Sequence, residues 1–220
     1  MVKLIIFDLD GTLCDTMDDL RTAMNGMLVK LGYKTRTRSE LLKFINNGAR
    51  EFVRRSLPKD VQGVEFMVDS ALQIYGQEYA KCYCQKTKAF EGIKAMLMEL
   101  KGSGYKLAVL SNKQDEFAKN IVYSVFDKGL FDYVAGQTGL PTKPNPAGAF
   151  NIARQLGVRP NKCVIVGDSD VDVKTAINAE MQIIGVSWGY RDEEVLRSAG
   201  AINIASKPSD IIEIIEKFNS

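Results

Sequence analysis

The sequence predicts an α/β architecture: a doubly wound parallel sheet, interrupted straight after its first strand by an all-helical insertion. Three observations predict it. A short apolar run, Leu4 to Phe7, opens the chain, and no convincing strand lies between residues 16 and 87. Beyond that block, strands alternate with helices of about ten residues, the pattern of βαβ units. Such units line up parallel strands between two helical layers.

Each element has its own reason. Residues 3–7 read as a fully buried strand, almost wholly apolar with β-branched Ile5 and Ile6 at the centre. An amphipathic helix starts near Thr16, where Thr16-x-x-Asp19 fits a capping box and Asp18 adds negative charge at the positive end. Met17, Leu20, Met24, Met27, Leu28 and Leu31 share one face, and Gly32 ends the run. Helical signals continue over 39–45 and 49–57, with Pro58 as a stop, and then from Val61 to Gln85, where Tyr75, Tyr79 and Tyr83 are four apart. The alternating part follows: helix 91–101, strand 105–111, helix 114–126, a short strand near Tyr133, helix 146–156 and strand 162–168. Helix 170–179, strand 182–187, helix 192–199, strand 201–204 and helix 208–218 complete it. The expected domains are a core of residues 1–15 and 84–220 and a helical insertion of 16–83. The core then has about 150 residues, enough to be stable alone.

Bulk properties prune the chemistry. The formal charge of +2 over 220 residues gives no strong field, and no basic stripe with interleaved aromatics points to nucleic acid. The apolar runs are strand-length and too short to span a bilayer. The first residues lack a secretory pattern, so the expected location is the cytoplasm. The chain has no histidine, which excludes Ser-His-Asp triads and His-ligated zinc within it. Cys14, Cys82, Cys84 and Cys163 include no C-x-x-C and read as reduced thiols. Acid–base work is left to Asp, Glu, Lys, Tyr or a thiol.

Ligands of open parallel sheets sit beyond the carboxyl ends of the strands. The first strand delivers Asp8 and Asp10 there, with Gly11 permitting a sharp turn and Thr12 offering a hydroxyl and an amide. The strand ending at Leu110 delivers Ser111 and Asn112, and "LPTKPNP" delivers Lys143. "VIVGDSDVD" delivers Asp168, with Asp172 one helical turn on. Singly, each has a plainer reading: a turn cap, a helix-terminal acid, a solvated lysine. Jointly they place four carboxylates in one crevice, and two like charges about 4 Å apart repel by roughly 4 kcal/mol even at an effective dielectric near 20. Lys143 offsets one charge. An oxygen-only ligand set then points to a hard divalent cation, Mg²⁺ before Ca²⁺ or Zn²⁺, and with it a phosphate substrate.

At these residues the sequence resembles the haloacid dehalogenase superfamily of phosphatases. Asp8-Leu9-Asp10-Gly11-Thr12 is similar to its first motif, Ser111 to its second, Lys143 to its third, and Gly167-Asp168-Ser169-x-x-Asp172 to its fourth. The resemblance implies a Rossmann-like core with the small helical cap of the first type. It implies that Asp8 attacks phosphorus to form an aspartyl-phosphate and that Asp10 protonates the leaving oxygen and then deprotonates water. Mg²⁺ would be held by Asp8, the Asp10 carbonyl and Asp168, and Ser111 and Lys143 would bind phosphoryl oxygens. Asp172 would orient Lys143 or a water on the metal.

Finer stretches resemble the phosphoglycolate phosphatase subgroup: "INNGAREFVRRSL", "LSNKQDEFAK", "GQTGLPTKPNP" and "WGYRDEEVLRSAGA". Asn46 stands where that subgroup commonly has Gly. The resemblance implies that the loop around Asn47, Gly48 and Arg50 closes over the site, with Arg50 free to meet a substrate carboxylate. Thr12 and Asn112 would complete the substrate contacts. The expected activity is Mg²⁺-dependent hydrolysis of a small phosphorylated metabolite, phosphoglycolate first, by a monomer or homodimer with no nucleic-acid or membrane partner. Inorganic pyrophosphatase, broad sugar-phosphate phosphatase and phosphoglucomutase-type activities fit the same core. A receiver-like phospho-aspartate switch is the non-enzymatic alternative.

Overall fold

The computed structural model describes all 220 residues. Its chain divides into two compact units, Met1–Asp15 with Ala89–Ser220, and Thr16–Lys88. No helix is long and apolar enough to cross a membrane.

The first unit begins with β1 (Leu4–Phe7), whose four side chains are all buried. The two-residue strand β2 (Cys14–Asp15) follows, and the chain leaves the unit. In the helical unit, α1 (Met17–Lys30) buries Met17, Leu20, Ala23, Met24, Met27 and Leu28, close to the predicted stripe. Then come α2 (Arg38–Phe44), α3 (Gly48–Ser56) and α4 (Glu65–Ala80). Phe52 of α3 meets Tyr75 of α4 edge to face at 6.1 Å between ring centroids, and Tyr75 stacks on Tyr79 at 5.8 Å. The four-residue tyrosine spacing is thus one packed aromatic row.

The capping box expected at Thr16 is not formed. Thr16 makes no side-chain cap bond, and Asp19 is buried with its carboxylate accepting from the Lys86 amide (3.0 Å), the Thr87 amide (2.8 Å) and the Thr87 hydroxyl (2.8 Å). A buried carboxylate needs several donors, and one helix amide supplies fewer than this returning segment does. Asp19 therefore pins residues 86–87 to α1, and the helical unit runs on to Lys88.

After β3 (Lys88–Ala89) the chain alternates as predicted: α5 (Ile93–Gly102), β4 (Lys106–Gln114), α6 (Asp115–Val125), β5 (Tyr133–Gln137), α7 (Ala147–Gln155), β6 (Cys163–Gly167) and α8 (Asp170–Asn178). Strand β7 (Gln182–Val186), α9 (Glu193–Ala199), β8 (Asn203–Ala205) and α10 (Pro208–Asn219) end it. The six-stranded sheet has the order β5-β4-β1-β6-β7-β8, and β1 pairs parallel with both β4 and β6, Leu4 lying opposite Lys106 and Cys163. Strand β1 is central, which is why it carries no polar side chain: both its faces are covered. Leu4 and Ile6 alternate onto one face with Ala108, Leu110, Ile152 and Ile165. The chain crosses outward in opposite directions from β1, so the carboxyl ends of β1, β4 and β6 border one crevice.

Candidate active site

Each of those strands ends on a polar residue. Beyond β1 stands Asp8, in β4 Ser111, and beyond β6 Asp168, all buried. Lys143, also buried, reaches in from the loop before α7. Its ammonium donates to Asp8 Oδ1 at 2.7 Å and to Asp172 Oδ1 at 2.5 Å. Asp172 lies in the first turn of α8, where it also accepts from the Ser169 hydroxyl at 2.6 Å and so caps the helix. Asp168 accepts from the Thr12 hydroxyl at 3.0 Å and the Tyr190 amide at 2.7 Å.

Glycines make this packing possible. Gly11 has φ +89°, and a Cβ on it would overlap the Asp168 carboxylate. A Cβ on Gly189 would do the same from the other side.

Carboxylate oxygens of Asp8, Asp168 and Asp172 all lie within 4.8 Å of one another. Burial raises the Asp8 carboxyl well above its ordinary value; Lys143 opposes this, while Asp172, Asp168 and Asp10 add to it. Burial, reinforced by Asp172, raises Asp168 to about 7 against the donors Tyr190 and Thr12. Burial alone would lower Lys143, but Asp172 and Asp8 more than offset it and hold the ammonium above its usual range. Asp10 pairs instead with Lys113, at 3.2 Å. With all four carboxylates ionised, two ammoniums leave two negative charges, which one divalent cation would cancel. Hard oxygen donors and no sulfur or imidazole in the cluster fit Mg²⁺.

The structure thus brings together Asp8, Asp10, Thr12, Ser111, Lys143, Asp168 and Asp172 within the first unit. Asn112 spends its amide on positioning: its Nδ2 donates to the Lys143 carbonyl at 3.0 Å, and its Oδ1 accepts from the Lys143 amide at 2.8 Å. Asn47, Gly48 and Arg50 belong to the helical unit, with Asn46, Asn47 and Gly48 all at positive φ. Arg50 is committed to Glu65 at 2.6 Å and to Asp69. Lys113, two residues beyond Ser111, was not singled out from the sequence; its amide donates to the Ser111 hydroxyl at 3.2 Å where the register of β4 shifts. Nor was the Tyr190 amide, for which no side-chain pattern gives a signal.

Fold and cluster together define a class: an α/β enzyme whose chemistry runs on buried carboxylates at the edge of a parallel sheet. The chain belongs to the haloacid dehalogenase-like hydrolase family, whose model matches residues 5–186. It is 32% identical to a phosphoglycolate phosphatase of Psychrobacter arcticus over 98% of this chain and 96% of that protein. It is also 32% identical to one of Aquifex aeolicus, over 98% and 97%. Among solved structures it is similar to a candidate phosphoglycolate phosphatase from Lactobacillus delbrueckii subsp. bulgaricus, with a TM-score of 0.90, 33% identity, and 97% and 98% of the two chains covered.

Proposed function

We propose that this enzyme is a Mg²⁺-dependent phosphomonoesterase acting on a small phosphorylated metabolite, phosphoglycolate first, through an aspartyl-phosphate on Asp8. The observation that carries the reading is Asp8 itself: a buried carboxylate 2.7 Å from the Lys143 ammonium, beside two further acids within 4.8 Å. A core carboxylate kept at that electrostatic cost serves as a nucleophile better than as a structural group.

An Asp8 oxygen attacks phosphorus and the ester bond breaks, while Asp10 gives a proton to the departing oxygen. Asp10 then takes a proton from water, whose oxygen attacks the phosphoryl group and returns Asp8 as a carboxylate. Lys143 and the Ser111 hydroxyl meet the phosphoryl oxygens, and Lys143 neutralises charge that develops on them. Asp172 and Asn112 hold Lys143 at its two ends, the ammonium and the main chain. Asp8, Asp168 and the Asp10 carbonyl would hold magnesium, which when bound offsets the repulsion between an anionic nucleophile and an anionic phosphate. Asn47, Gly48 and Arg50 stay with this reading as substrate contacts from the helical unit, Arg50 exchanging its own acids to serve. The enzyme would work in the cytoplasm as a monomer or homodimer.

The test is hydrolysis of p-nitrophenyl phosphate with Mg²⁺, its loss in EDTA and its return on adding Mg²⁺, followed by a panel of phosphorylated metabolites ranked by kcat/KM. Phosphoglycolate is expected to lead the panel. Several sugar phosphates ranking well above it would overturn the substrate, and turnover unaffected by EDTA would overturn the metal dependence.

A further inference from the structure

We infer that a second cavity in the core unit, lined by none of the clustered acids, binds an elongated organic dication: an apolar chain with an ammonium at each end. The cavity measures about 540 Å³, a volume usual for small-molecule sites, and all its lining residues belong to the core unit. Phe90, Met96, Trp188, Pro208 and Ile212 supply apolar walls. Met96 and Glu99 share a face of α5, and Pro208 and Ile212 lie one turn apart on α10. Phe90 enters from the segment before α5, and Trp188 from the loop after β7.

Charge sets the sign of the occupant. Glu91 and Glu99 line the cavity, both exposed, and neither carboxylate has a hydrogen bond or an ion pair. The cation in the lining, Lys207, already faces Asp210 at 3.9 Å. An anion finds no free helix terminus, because Asp210 takes the Ser206 amide at 2.9 Å, the Ser206 hydroxyl at 2.8 Å and the Lys207 amide at 3.1 Å. The two glutamates therefore remain for a cation, and the Trp188 indole in the wall is the side chain that attracts one best. Spacing sets the length. The eight-residue step from Glu91 to Glu99 covers about 12 Å at the helical rise. A diamine with eight methylenes spans about 11 Å between its nitrogens, from ordinary bond lengths, and lays its chain on the apolar wall. The site also reaches the acid cluster. Trp188 Nε1 donates to the Thr12 carbonyl at 3.0 Å, and the Thr12 hydroxyl donates to Asp168 at 3.0 Å. A ligand that moves the indole therefore moves the support of Asp168.

Trp188 is the chain's single tryptophan, so its fluorescence reports on the cavity directly. The test titrates the full chain with octamethylenediamine and with octylamine, in excess Mg²⁺ so that the amines do not simply neutralise the acid cluster. The diamine is expected to give a saturable change and to bind about fivefold more tightly than the monoamine, the scale of one further exposed ion pair. Glu91→Gln and Glu99→Gln are each expected to remove that advantage, and Glu116→Gln, outside the cavity, to keep it. No saturable change, or an advantage that survives both cavity variants, overturns the inference. Hydrolysis of p-nitrophenyl phosphate should change with the same half-saturation as the fluorescence; binding that leaves turnover untouched overturns the link to Asp168. A chain with no phosphatase turnover at all would overturn the proposed function, while the fluorescence titration would still decide the cavity.

Discussion

Two ion networks in this molecule each set one basic side chain between two carboxylates, and they behave in opposite ways. In the core unit, Asp8, Lys143 and Asp172 have side chains 11%, 6% and 1% exposed. In the helical unit, Arg50, Glu65 and Asp69 are 40%, 62% and 59% exposed. Hydrogen bonds from Arg54 and Arg50 lower Glu65 to about 2, whereas burial beside Asp172 raises Asp168 to about 7. The exposed acid has more cation than it needs; the buried ones have less. An unmet charge requirement therefore marks the place where a further positive group is to bind, and density of ion pairs does not.

The comparison is most severely tested by removing single charges from the core. Asp8→Asn is expected to abolish turnover, by at least a thousandfold on the scale of a lost nucleophile, and Asp10→Asn to leave at most a trace. Both should keep the far-UV circular dichroism of the wild type, because Asn fills the space of Asp and Lys143 retains Asp172 when Asp8 is changed. Lys143→Met should do the reverse to stability. It leaves Asp8 and Asp172 facing each other, at a cost of about 3–5 kcal/mol in urea unfolding of the metal-free protein. If Lys143→Met proved as stable as Asp8→Asn, the core network would not be the strained one.

Gly189→Ala sharpens the same contrast by geometry. The added Cβ would overlap Asp168 and press on the Gly11 carbonyl at 2.5 Å, so Asp168 must move. The expected result is about a tenfold or greater rise in the Mg²⁺ concentration needed for half-maximal turnover, the scale seen when the surroundings of a metal ligand are disturbed. Destabilisation of about 1–3 kcal/mol from overpacking should accompany it. An unchanged Mg²⁺ titration would mean that Asp168 does not hold the ion.

How far the sequence foretold these sites depended on whether the cause was local. The LIIF strand, the alternation after residue 88 and the placement of Asp8, Ser111, Lys143, Asp168 and Asp172 were legible, because strand ends converge in a parallel sheet whatever the loops do. Asp19 was misread because Thr16-x-x-Asp19 satisfies a local pattern while its real donors, at Lys86 and Thr87, lie far along the chain. Gly189 and the Tyr190 amide meet Asp168 from another crossover, and only the fold reveals that approach. Lys113 gave no such local signal, because β4 shifts register between Leu110 and Gln114 and a period of two does not carry through it. The charges of α3 and α4 carried no spacing signal, since exposed side chains find partners by reach rather than by register.

A milder perturbation is pH. Asp8 and Asp168 have folded-state values raised above the ordinary 3.8. A raised carboxyl contributes stability fully below its unfolded value and loses it as pH climbs through the folded one, here about 7 for Asp168. The metal-free protein should therefore lose Tm between about pH 4 and pH 8. Mg²⁺ binds the ionised acids, so the Tm it adds should be larger at pH 8 than at pH 5. Equal Mg²⁺ shifts at the two values would show that the acids are already ionised and unstrained, and the contrast with Glu65 would fail.

The smallest effect belongs to the helical unit. Glu65 accepts from Arg54 at 2.8 Å and from Arg50 at 2.6 Å, geometry as good as any in the core. Its depressed carboxyl stabilises the fold only above the unfolded value, and that contribution is lost as pH falls through about 2. Water and salt screen the pair throughout, and Arg54 keeps Glu51 and the Gln62 carbonyl when Glu65 is neutral. Glu65→Gln is accordingly expected to shift Tm by no more than about 2 °C, and by less still in high salt. A loss as large as that of Lys143→Met would show that exposure does not separate the two networks, and that short ion pairs alone set what each is worth.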